Sequence, residues 1–244
     1  ECRTTRPPTM TPPLFLLACA SPKVVPSRSE ERFRLGMLRD QKVAVWPIPS
    51  ADLDESTAGT VTKEYNSQGK FLDALSVKFS GRVIGLCRPN SMGSEQVIRL
   101  LNGSEGTKGL LDPGKLLGTA DPNNRFATAP DLSVLTKIDG LQGMKYAIVF
   151  RDLSIGRQWT HNGGGGGAFV GNGSGGGVFV GGGGSSAKSS ARLRLAIIDL
   201  ESKSIVWDGS VFAAASSTFM KVTALHEIED DLATNFINEI MGIH

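Results

Sequence analysis

Long hydrophobic runs are missing from this chain of 244 residues. No stretch approaches the roughly 20 apolar residues that a membrane-spanning helix needs. Cysteine is scarce: Cys2, Cys19 and Cys87 lie far apart with no C-x-x-C spacing, so neither a zinc site nor a disulfide framework is indicated. Neither sign of charge dominates, since 26 Lys and Arg face 24 Asp and Glu for a net charge of +2. Aromatics, at 7%, are not interleaved with arginine, so the basic stripe of a nucleic-acid binder is absent. The three histidines, His161, His226 and His244, fall into no ligand or triad motif. Glycine, by contrast, is plentiful at 30 residues.

The N-terminal segment carries the first positive signal. Leu16-Leu17-Ala18-Cys19 has the form of a bacterial lipobox, in which small residues before the cysteine admit a signal peptidase and the thiol is then acylated. Acyl chains anchor an otherwise water-facing domain without a spanning helix. The apolar run from Leu14 to Ala18 is about half the length of a signal h-region and follows Pro12 and Pro13. The plain alternative is a chance match in a disordered tail. Residues 1–19 are therefore expected as a signal and lipobox segment, residues 20–40 as a disordered tether, and residues 41–244 as one α/β domain.

Within that domain, "QKVAVWPIP" reads as a strand stopped by Pro47 and Pro49. A polar loop is expected from Ser50 to Gly69. Phe71, Leu72, Leu75 and Phe79 then recur at helical spacing up to Gly81. "RVIGLC", from Arg82 to Cys87, reads as a short strand, and Ser94 to Asn102 as a helix with Ser94 as N-cap and Gly103 past its end. Turn formers dominate up to Pro130, and Asp131 is placed to cap a short helix. Three strands follow, Met144 to Ile155, Ala191 to Leu200 and Ser204 to Ala214. In the second of these, "ARLR" alternates before the run turns wholly apolar. Ile228, Leu232, Phe236, Ile240 and Met241 line one face of a closing helix, which Gly242 ends. The fold class is thus α/β (α+β): a single mixed sheet of about five strands flanked by helices, in the order β-α-β-α-α-β-β-β-α. The early alternation implies parallel pairing through helical crossovers, the late strands an antiparallel meander.

Residues 160–190 form a glycine-rich insertion between two meander strands, in which 14 of the 22 residues from Gly163 to Gly184 are glycine. Loop closure costs only roughly 0.6 kcal/mol more per doubling of length, so the tract is expected as a flexible loop that the sheet tolerates. Inside it, "AFVG" and "VFVG" repeat ten residues apart. A dinucleotide fingerprint needs a strand before it and a helix after it, whereas glycine and serine surround the G-x-G-x-x-G match at Gly171 to Gly176, and composition alone produces it. Gly109, Gly114 and Lys115 fall short of a phosphate-binding loop, because Leu116 stands where a hydroxyl is required. Asp52, Asp54 and Glu55 form an acidic cluster read as solvated loop. Cys87 is read as a small buried hydrophobe. No catalytic residue, metal ligand or cofactor site is identified, and no enzyme is expected; an enzyme with a dispersed active site is the remote alternative.

Trp46-Pro47-Ile48 after the first strand, together with Asp199, Lys203, Ile205, Val206 and Trp207 in the last hairpin, resembles a family of bacterial envelope lipoproteins. The family includes the curli secretion channel lipoprotein, the lipoprotein activators of penicillin-binding proteins and the N-terminal domain of the Tol-Pal propeller protein. The resemblance spans roughly Lys42 to Gly242. It implies a periplasmic domain anchored to the outer membrane, with Cys19 as the lipidation site. Such a domain acts through contact with an unidentified envelope protein, as an accessory or assembly factor. No nucleic acid is implied, and homo-oligomers stay open. The alternative is a subunit of an oligomeric outer-membrane secretion channel.

Overall fold

A computed structural model describes residues 23–103, 105–118, 132–161, 168–172, 176–180, 185–218 and 225–243. Cys19 and Asp131 lie outside the described residues. Among the described residues there are eight strands: β1 (Val24–Ser29), β2 (Val43–Val45), β3 (Ala51–Leu53), β4 (Tyr146–His161), β5 (Ala168–Asn172), β6 (Gly176–Val180), β7 (Ser185–Asp199) and β8 (Ser204–Thr218). The helices are α1 (Glu55–Tyr65), α2 (Gln68–Ile84), α3 (Ser94–Asn102), α4 (Glu105–Lys108), α5 (Pro113–Leu117) and α6 (Leu225–Met241). One mixed six-stranded sheet has the order β1-β8-β7-β4-β2, with β3 also paired to β4. β4, β7, β8 and β1 run antiparallel, while β2 and β3 lie parallel to successive halves of β4.

Two apolar layers cover the sheet. On the first face, α1, α2 and α6 lay Val61, Phe71, Phe79, Leu232 and Phe236 over Ile148, Phe150, Leu193 and Leu195. On the second, α3, α5 and the turns between residues 109 and 141 lay Val97, Leu101, Leu116 and Leu135 over Ala147, Val149, Ala196 and Ile198. Among the described residues the second layer covers only half of its face. Tyr146 through Phe150 are all buried, whereas from Asp152 to Gly156 only Leu153 and Ile155 are. β7 shows the mirror pattern: Ala191 and Leu193 are buried between exposed Arg192 and half-buried Arg194, and then Leu195 through Leu200 are all buried. A strand covered on both sides reads as a continuous apolar run, and one covered on a single side alternates. The change from alternating to apolar in "ARLRLAIIDL" therefore marks the edge of the second layer.

Several expectations are corrected. Arg82 to Cys87 is no strand: α2 continues to Ile84, because Val83 extends the buried stripe of Phe71, Leu75 and Phe79 by one more turn. The parallel partner of β2 is accordingly β4. The loop from Ser50 to Gly69 holds β3 and α1, whose N-cap Asp54 accepts from Thr57 N at 2.7 Å. The segment read as a tether contains β1, paired with β8, and a 3-10 turn at Leu35–Asp40 whose Leu35 and Leu38 are buried. Ser94 is not the cap of α3. Gly93 takes that position, and Ser94 turns inward to Ser80, Oγ to Oγ at 3.1 Å. Part of the glycine tract is also ordered as strand. β5 and β6 pair antiparallel with Phe169 opposite Phe179 and Val170 opposite Val178, so the "FV" repeats supply the strand-forming residues that the glycines lack.

Both sheet edges are blunted. β1 carries Pro26 and a bulge between Pro26 and Arg28, devices that discourage edge-to-edge pairing. β2 is capped on its free side by Met92, through Val45 N to Met92 O and Met92 N to Val43 O, each at 2.8 Å.

Candidate interaction surface

The half of the second face that no helix covers is the most distinctive surface among the described residues. Strand register arranges its side chains in cross-strand rows. The first runs Asp52, Ser154, Arg192, Phe212 across β3, β4, β7 and β8. The second runs Asp152, Arg194, Ser210, Val25 across β4, β7, β8 and β1. In the third, Ala196 stands opposite Asp208, which stands opposite Arg28.

Ion pairs tie the rows together. Arg194 Nε lies 2.8 Å from each carboxylate oxygen of Asp152, and its Nη2 also reaches Asp152. Hydrogen bonding to that carboxylate holds the guanidinium more firmly protonated still. Arg151 occupies the bulge of β4 and reaches over β7 to Asp208 at 2.6 Å. The β7 residue opposite Asp208 is Ala196, whose small side chain leaves the bridge room to cross. Planar guanidinium and carboxylate groups in this arrangement make strong, directional contacts. Arg192, exposed beside Phe212, and Asp52, exposed at the opposite margin, lie outside these pairs. Phe212 and Val25 are 37% and 38% exposed, a high value for such apolar side chains.

A second polar cluster lies within the first layer. Tyr65 Oη donates to Glu229 Oε1 at 3.1 Å, while Lys78 and Arg82 reach Asp230 at 2.9 and 2.6 Å. It fastens α1 and α2 to α6. Burial first, then the Glu229 carboxylate, push the Tyr65 phenol up to about 12. Two clefts are small, about 220 Å³ beside Leu141, Met144 and Leu200 and about 200 Å³ between α2 and α3; ligand pockets for small molecules run to roughly 300–1,000 Å³.

The residues singled out in the sequence divide among these places. Asp52 belongs to the open face, Asp54 caps α1 and Glu55 sits in that helix's first turn. Lys115 is exposed on a five-residue helix capped by Asp112, so the near match to a phosphate loop is a turn. The cluster from Asp199 to Trp207 is a hairpin motif. Asp199 Oδ1 accepts from Glu201 N and Ser202 N at 2.9 and 3.1 Å, Lys203 takes a φ of 55°, and Ile205 and Trp207 enter the two cores. Trp46 Nε1 donates to Leu110 O at 3.0 Å, and Ile48 N donates to Ser76 Oγ at 2.9 Å. Pro47 lies where β2 gives way to β3. No group of three or more His, Cys, Asp or Glu among the described residues is placed to hold a metal ion. The charge rows are not visible as neighbours in the sequence; the arginines of "ARLR" are the sign of them that it carries.

No family model matches the chain, and no curated protein matches it. Solved structures with a partial likeness include the PelC dodecamer from Paraburkholderia phytofirmans, at 12% identity over 89% of this chain and 97% of that one, with a TM-score of 0.28. Lipoprotein GNA1162 from Neisseria meningitidis aligns at 12% identity over 83% and 99% of the two chains, TM-score 0.31. A neuraminyllactose-binding hemagglutinin homologue from Helicobacter pylori aligns at 10% identity over 88% and 87%, TM-score 0.30. At such scores these likenesses carry no argument about what the chain does.

Proposed function

We infer that the protein is a non-enzymatic lipoprotein of the bacterial envelope, held at the periplasmic side of the outer membrane by acylation at Cys19, and that it works by contact with another envelope protein. The observation that carries this reading is the half-covered sheet. Among the described residues no helix covers one end of a sheet face, whose charges are tied into ordered ion pairs and where Arg192, Asp52 and Phe212 face outward. Such a surface suits a partner of complementary shape and charge, where paired charges give register and orientation more than raw affinity. The lipobox at Leu16 to Cys19 supplies the anchoring half of the reading.

Two measurements test it. Cys19→Ser should move the protein from the membrane fraction to the soluble fraction of a bacterial host; unchanged fractionation removes the anchor. Site-specific photocrosslinking from position 154, which stands opposite Asp52 in the first row, should trap a discrete protein adduct in intact envelopes that Asp52→Arg abolishes. Loss of the adduct through an equivalent substitution at Glu95, on α3 of the other half, would remove the assignment of this face.

A further inference from the structure

The corner of the open face at β1 and β8 combines three things. Phe212 and Val25 project from it. Two exposed cations adjoin them: Arg192 stands directly opposite Phe212, and the backbone oxygen of Lys23 accepts from Phe212 N at 2.7 Å. Finally, the chain enters the fold here, and only Ala20 to Pro22 separate Lys23 from Cys19. Four residue steps span at most about 14 Å when fully extended. A tether running to residue 40 would have let the domain stand far from its anchor, but β1 begins at Val24.

We propose that this corner is a membrane-contact patch: Phe212 and Val25 enter the interfacial zone of the bilayer, and Lys23 and Arg192 meet its anionic headgroups. An aromatic and an aliphatic side chain flanked by long cations suit that zone, where apolar stems meet the acyl boundary and charged tips stay among phosphates. The charge across the sheet has the matching polarity. Asp52, in no ion pair among the described residues, stands on β3 at the far margin, three strands from Phe212. The sheet therefore stands with its β1 edge toward the bilayer, and the Asp52 and Asp152 side of the face remains open to a protein partner. This inference rests on the anchored reading above, but its test does not depend on natural acylation.

The full chain carrying Cys2→Ser is coupled through Cys19 to a maleimide lipid, in vesicles of equal parts phosphatidylglycerol and brominated phosphatidylcholine. Tryptophan is placed at Phe212→Trp or, as a control, at Met241→Trp, which is equally exposed on the helix layer of the opposite face. Bromine should quench most of the emission added at position 212 and spare that added at position 241. Arg192→Glu should lower the quenching at position 212. Equal quenching at both positions, or none at position 212, overturns the patch, and quenching indifferent to Arg192→Glu overturns the headgroup contact. A natural chain found without acyl groups would remove the proposed function while leaving the tethered result standing.

Discussion

Arg151 and Asp208 form an ion pair at 2.6 Å that bridges the full width of β7, with side-chain exposures of 13% and 14%. They sit where the second helix layer ends, so the pair closes the core against the open face. Removing one partner strands the other charge in partly dry surroundings. Arg151→Met or Asp208→Leu alone should each cost about 2–3 kcal/mol, somewhat under the figure for a fully buried pair. The double variant should recover part of that loss, because neither charge is then left alone. Urea denaturation of the three chains checks this. Additive losses would mean the pair is solvated and structurally idle.

Glycine substitutions of opposite sign test how closely β1 is held. A Cβ at Gly209 would lie 2.6 Å from the Val25 carbonyl oxygen and 2.6 Å from the Trp207 ring, which is 3% exposed. Neither neighbour can yield easily. Gly209→Ala should cost about 1–3 kcal/mol through overpacking, and it should expose the Phe212 amide, bonded to Lys23 O, to faster hydrogen exchange. At Gly81, inside α2, an added Cβ meets nothing within 4 Å. Gly81→Ala should stabilise by about 0.5–1 kcal/mol, through the entropy that glycine loses in a helix. A Gly209→Ala chain as stable as its parent would show that β1 is loosely attached.

Much of this architecture is legible in the sequence where one residue pattern admits one solution. α3 occupies Ser94–Asn102, the span that its flanking turn residues predict, and four of the five residues expected on the face of α6 are buried; Met241, in the last turn, is exposed. Misreadings arise where local signals are ambiguous or weak. "RVIGLC" is short and apolar, which suits a strand or a helix end equally, and only the packing of Val83 decides. "VVPSRS" contains proline and polar residues because it is an edge strand with one buried side chain, Val24. α1 buries only Thr57 and Val61, too little for a visible stripe. The rows of the open face depend on register between residues as far apart in the chain as Val25 and Ser210, so their members are readable one by one but not as neighbours.

Cys87 should be chemically quiet. Burial pushes its thiol up to about 11, and Sγ donates to Val83 O at 3.3 Å. At pH 8 the thiolate fraction is then on the order of one in a thousand, about 100-fold below an ordinary exposed thiol. Iodoacetamide followed by peptide mapping should label Cys87 in urea and leave it nearly untouched in the folded chain. Labelling at the unfolded rate would place that thiol in water.

The alkaline limb of stability should be carried by tyrosine. The chain has two, Tyr65 and Tyr146. Burial is the first cause that raises each phenol, with Glu229 next for Tyr65 and Asp199 next for Tyr146; Tyr65 reaches about 12. A phenol whose folded pKa lies above its unfolded value of 10.0 favours the folded state while it is protonated. Its contribution is therefore complete below about pH 10 and is lost as pH climbs from 10 to 12. Absorbance at the tyrosinate band should stay flat through the range where free tyrosine ionises, then rise together with loss of ellipticity as the fold opens. Glu229→Gln removes the second cause, so the Tyr65 step should move down while remaining above 10. A tyrosinate signal half complete near pH 10 with the fold intact would mean both rings are solvated, and the clamp of α1 and α2 on α6 would have to be assigned to Lys78, Arg82 and Asp230 alone.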